Sequence, residues 1–152
     1  MILRSMNIVK PYQFSKRILL SVAFLFMSNI AHAAKPATYT GPWTVNISRL
    51  LNNTCPFSLS DQLGIEKVSV TQKGSSITLL DSDKSVFRGK TTKSGFAVSA
   101  HATTDGVTET ITLDFSVSQD RKHAKVRFRD SFSQPANSFS CIGNFQGSAI
   151  KR

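Results

Sequence analysis

The chain has 152 residues, 19 of them basic and 9 acidic, for a formal net charge of +10. Apolar residues make up 40% and charged residues 18%. That length accommodates one domain, and the composition excludes a disordered, collagen-like or coiled-coil chain.

The first 33 residues read as a secretory signal peptide. Arg4, Lys10, Lys16 and Arg17 form a basic front, Ile18 to Met27 is apolar except for Ser21, and Ala31-His32-Ala33 supplies a small-x-small cleavage site. The apolar run is about half of the roughly 20 residues a membrane-spanning helix needs. Cleavage after Ala33 would leave an exported protein, periplasmic or secreted. No later stretch is long and apolar enough to cross a membrane as a helix. Residues 34–40 are expected to be a loose lead-in, and 41–152 a single β domain.

From there the dominant signal has period two. Trp43, Val45 and Ile47 alternate with Thr44, Asn46 and Ser48. Leu50 to Gly64 is irregular, contains Cys55-Pro56, and has room for one short helical turn. Val68 and Val70 alternate with Lys67, Ser69 and Thr71, and Lys73-Gly74 turns the chain into Ile77 and Leu79. A short strand surrounds Val86-Phe87-Arg88. Ser94-Gly95 leads into Phe96, Val98 and Ala100. Thr104-Asp105-Gly106 then turns into Thr108 to Ser118, where Ile111, Leu113, Phe115 and Val117 alternate with Thr110, Thr112, Asp114 and Ser116. After a polar loop, Ala124, Val126 and Phe128 point one way and Lys125, Arg127 and Arg129 the other. The last strand runs from about Phe139 to Ile150. Its Gly143 and Gly147 share a face with Cys141 and Phe145 and mark a bend or a close backbone approach. Side chains alternate faces only in extended backbone, so about eight strands follow one another.

Eight hairpin-linked strands with one apolar face close into an antiparallel up-and-down barrel or fold into a two-sheet β-sandwich. The two cysteines favour the barrel. An exported chain with an even, small number of cysteines is expected to pair them. Cys55 follows the first strand and Cys141 lies in the last, and these strands are neighbours only if the sheet closes or a sandwich brings its termini together.

At Gly41-Pro42-Trp43 the chain resembles the lipocalin and fatty-acid-binding-protein superfamily, whose barrels open strand one with Gly-x-Trp and plug the closed end with the Trp. The resemblance spans about residues 39–150 through the strand count and the terminal cysteines. The helix that follows the barrel in lipocalins has no counterpart, and the acidic turn between strands six and seven is represented only by Gln119-Asp120-Arg121. The resemblance implies a barrel that takes up a small apolar or amphipathic ligand. Trp43, Phe96, Val98, Phe115 and Phe128 are the candidate ligand contacts on the inward face. The abundance of Phe there points to a largely filled interior with a shallow mouth.

The residues offer little chemistry besides. His101 and His123 fall on polar faces near strand ends, and no nucleophile, base and stabiliser combine in one pattern, so no enzyme is expected. Glu109 begins the inward register of its strand, where it is either a solvated strand-end residue or a ligand-orienting one. Asp81-Ser82-Asp83 lacks the oxygens and the Gly of a calcium loop. No metal or cofactor is expected. Arg121, Lys122, Lys125, Arg127 and Arg129 form a basic hairpin, read either as a solvated face that resists strand-to-strand association or as a contact for an anionic partner. The aromatics do not interleave with these cations, so nucleic acid is not expected. The alternative to a carrier is a protein-interaction module, such as a hydrolase inhibitor, that meets a secreted or envelope protein through loops and this hairpin.

Overall fold

A computed structural model describes residues 38–152; the signal peptide expected over residues 1–33 lies outside them. Eight strands follow in chain order: β1 (Gly41–Asn53), β2 (Gly64–Lys73), β3 (Ser76–Leu80), β4 (Val86–Thr91), β5 (Gly95–Thr104), β6 (Val107–Val117), β7 (His123–Gln134) and β8 (Phe139–Lys151). Each pairs antiparallel with the next, and β8 returns to β1, so the sheet is a closed up-and-down barrel. A closed barrel leaves no first or last strand unpaired. The only helical pieces among the described residues are single 3-10 turns at Ser60–Gln62 and Pro135–Asn137.

The alternation read from the sequence becomes the two sides of the wall. Along β7, Ala124, Val126, Phe128 and Asp130 are buried, while Lys125, Arg127 and Arg129 are exposed. β1 is longer than its alternation predicts. Its pairing with β8 slips between Ile47 and Arg49 and again between Leu50 and Asn52. Each slip inserts an extra residue and inverts the in–out order beyond it, which is why Arg49 to Asn53 does not read as a strand.

One end of the barrel is filled with aromatic rings. Trp43 is 1% exposed. Its indole N–H donates to the Tyr39 carbonyl at 2.9 Å. Phe96 and Phe115 stack with centroids 4.3 Å apart, and Trp43 meets both edge-on at 6.1 and 6.3 Å. Full burial of each such ring contributes about 1.5–3 kcal/mol. Residues 38–40 are not the loose lead-in expected of them. The Tyr39 N–H donates to Gln72 Oε1 and the Gln72 N–H to Thr40 Oγ1, both at 2.9 Å, and Tyr39 is buried against Phe96. The chain's other end crosses here too, with the Arg152 N–H donating to Pro42 O and Lys151 Nζ to Thr38 O.

The barrel wall has unequal height. β5 and β6 pair over their whole length, Gly95 with Ser116 through to Thr104 with Val107. β3 and β4 are short. β2 pairs with β3 only from Ser69 onward, and β4 reaches β5 only from Arg88 to Thr91. The wall is therefore low between β2 and β5 at the end opposite Trp43. Leu63, Ile65, Leu80 and Val86 are exposed around this gap.

Candidate ligand-binding site

The low wall opens onto a cavity of about 390 Å³. Its sides are inward residues of six strands, among them Val45, Ile47, Val68, Leu79, Leu113 and Phe128. Apolar walls of this size, with polar groups confined to one region, suit a small ligand. The polar region here is carboxylate. Asp61 comes from the first 3-10 turn, Glu66 from β2, and Asp81 and Asp83 from the loop between β3 and β4. Glu66 Oε1 accepts the Ser82 N–H at 3.0 Å and Asp81 Oδ1 the Ser85 N–H at 2.7 Å, which fixes the loop against β2.

The loop between β1 and β2 covers the other side of the opening. Leu59 is buried over Gly143, and the Phe57 ring stands edge-on to Phe132 at 5.3 Å. The cysteines hold this loop to the wall: Cys55 and Cys141 form a disulfide, with Cα atoms 4.8 Å apart. Thr54 reinforces it by donating its N–H to Ile142 O and accepting the Ile142 N–H at Oγ1, each at 2.9 Å.

Asp130 lies beneath this cover. It is 0% exposed. It occupies an inward position of β7, two residues after Phe128 and directly across from Ile111, both of which line the cavity. Its neighbour across β8 is Gly143. Burial pushes its carboxyl up to about 7, and the nearby negative charge of Glu109 adds to the effect. Glu109 is itself inward and half-buried on β6.

The candidate ligand contacts separate into two groups. Trp43, Phe96 and Phe115 belong to the filled end, and Val98 is buried beside Leu113 without reaching the cavity; of the five, Phe128 lines it. The interior is thus filled at one end and open at the other. His101 and His123 are exposed, and His123 Nδ1 pairs with Asp120 Oδ2 at 2.7 Å in the β6–β7 turn. Arg121, Lys122, Lys125, Arg127 and Arg129 are all exposed, the first two in that turn and the others along the outer face of β7.

Two features of the site escaped the linear reading. The carboxylate rim comes from three separate segments that meet only when the barrel closes. Asp130 did leave a signal, because it continues the inward series Ala124, Val126, Phe128 as a charged residue at a core position.

No protein-family model matches the chain. Searches of curated proteins and of solved structures return no match either.

Proposed function

We propose that this protein is an exported carrier that takes a small amphipathic molecule into the open end of its barrel. The observation that carries the reading is the 390 Å³ cavity, apolar in its walls and carboxylate at its rim, set in a barrel whose opposite end is solid. The resemblance of Gly41-x-Trp43 to the lipocalin and fatty-acid-binding-protein superfamily supports it, with Trp43 at the closed end of the barrel. The Cys55–Cys141 disulfide suits an oxidising compartment such as the periplasm or the exterior. The test compares native and denatured masses of the protein purified from its own host. Extra mass that is lost on denaturation is expected, and it identifies the cargo. Equal masses would count against a carrier.

A second reading draws on the basic hairpin. Among the described residues none of its Lys or Arg side chains is engaged in an ion pair, so it is free to meet an acidic secreted or envelope protein. Reversing Lys125, Arg127 and Arg129 to Glu should abolish capture of such a partner, and capture that survives the change would remove the hairpin from the interface.

A further inference from the structure

The nine acidic residues of this basic chain are unevenly placed. Asp61, Glu66, Asp81 and Asp83 line the cavity. Asp105, in the β5–β6 turn, together with Glu109 and Asp130, belongs to the same end of the barrel. That leaves Asp114 on the outer wall and Asp120 at the closed end. Of the cations, Lys73, Lys93, Arg121, Lys122, Lys151 and Arg152 lie at the closed end, and only Arg49 near the end of β1 and Lys84 in the β3–β4 loop stand beside the acids at the open end. The open end is therefore negative in a protein of net positive charge.

Nor does the protein neutralise the charge of these carboxylates. Among the described residues none of the four cavity acids takes part in an ion pair, although Lys84 is in the same loop as Asp81 and Asp83. A cavity mouth lined by acids of one sign sets a negative potential that favours a cation. Asp130 is not part of this rim: it is fully buried behind the cavity wall and has the Glu109 carboxyl as its hydrogen-bonding neighbour.

A metal ion does not fit the arrangement, since among the described residues no three His, Cys, Asp or Glu side chains are placed to hold one. An organic cation does. Its charge can be spread over a wide rim while its hydrocarbon part meets Val45, Val68, Leu79 and Phe128. We infer that the cavity selects an organic cation, an ammonium-bearing amphiphile, whose charged group rests among Asp61, Glu66, Asp81 and Asp83 and whose apolar body enters the barrel. This inference rests on the reading of the cavity as a binding site and specifies the chemistry of its ligand.

The test uses three probes of equal chain length on the purified protein, by titration calorimetry at neutral pH: octyltrimethylammonium, 1-octanol and octanoate. The cation is expected to bind at least about tenfold tighter than the alcohol, a factor within the reach of Coulomb attraction to the rim carboxylates, and octanoate weakest. The double variant Asp61→Asn, Asp83→Asn removes two exposed carboxylates that anchor no loop hydrogen bond, so it should fold normally. It is expected to cost the cation about tenfold and leave 1-octanol unchanged. Equal binding of all three probes, a preference for octanoate, or a double variant that keeps the cation preference would overturn the cation assignment while leaving the carrier reading in place. Failure of all three probes to bind would overturn both.

Discussion

Gly147 on β8 and Asn46 on β1 meet at the seam of the barrel, where the Asn46 carbonyl oxygen occupies the space a Cβ on Gly147 would need. The obstacle is backbone of a paired strand, which cannot move aside without parting β1 from β8. Gly143, two turns of the pleat earlier on the same face, is crowded instead by side chains, the tip of Leu59 and the ring edge of Phe145, which yield more readily than paired backbone. Gly147→Ala should therefore cost at least the 1–3 kcal/mol typical of overpacking, and Gly143→Ala distinctly less. Urea denaturation midpoints of the two variants provide the comparison. Equal costs would mean that the seam yields as readily as the loop.

The same seam shows how far the sequence could be read. Period-two alternation located all eight strands, and the inward glycines of β8 marked the close approach now seen at Asn46. Closure was inferred from the positions of Cys55 and Cys141. The end of β1 was lost because two register slips invert the pattern after Ile47. The rim was lost for a different reason: Asp61, Glu66, Asp81 and Asp83 carry no common spacing along the chain, and the two short strands β3 and β4 bring them to one opening. Alternation gives the side of the wall on which a residue lies, but not the height of the wall.

The disulfide closes a long loop, with its cysteines 86 positions apart in sequence. In the chain-entropy account, a cross-link of that span stabilises the fold by about 4–5 kcal/mol by restricting the unfolded chain. The double variant Cys55→Ser, Cys141→Ser, or the reduced protein, should lose stability of that order. Thr54 and Ile142 still hydrogen-bond across the same point, so the barrel should keep its far-ultraviolet circular dichroism below its lowered unfolding midpoint. A variant as stable as the oxidised protein would show that the unfolded chain is already compact.

Asp130 and Asp120 give stability opposite dependences on pH. Asp130 has a folded-state value of about 7, raised by burial and by Glu109, against roughly 3.9 in the unfolded chain. Between these values the folded protein keeps a proton that the unfolded chain releases, so stability is full in acid and falls as pH rises towards 7. At about 1.4 kcal/mol per unit of pKa, the change across that window is a few kcal/mol. Glu109 is the acidic neighbour from β6, and the inward residues of β8 opposite, Cys141, Gly143 and Phe145, add no charge. Asp120 is held well below the usual carboxylate range by the Ser118 hydroxyl first, then by the Lys122 N–H and by His123. Its contribution is present above the ordinary carboxylate value and is lost as pH falls through it. Stability should peak in mildly acidic solution. Asp130→Asn should flatten the profile between about pH 4 and about pH 7, read from denaturation midpoints at each pH. A wild-type profile already level over that range would contradict the account of Asp130.

The division between a filled end and an open end predicts that stability and binding separate by position. Phe96 is fully buried, stacked on Phe115 and edged by Trp43. Phe96→Ala removes a ring from close-packed surroundings and should cost about 3–5 kcal/mol. Ile111 is half-buried and lines the cavity, so there is space for a larger side chain to extend into it. Ile111→Trp should change stability by less than about 1 kcal/mol, the range for a substitution that neither opens a hole nor overfills a core. Its indole would occupy the space offered to a ligand, and binding of octyltrimethylammonium should fall by at least about tenfold, equivalent to 1.4 kcal/mol. Calorimetry with that probe and a denaturation curve on each variant supply both numbers. If Ile111→Trp binds normally, the ligand does not enter the barrel. If it unfolds the protein instead, the upper interior is as tightly filled as the lower.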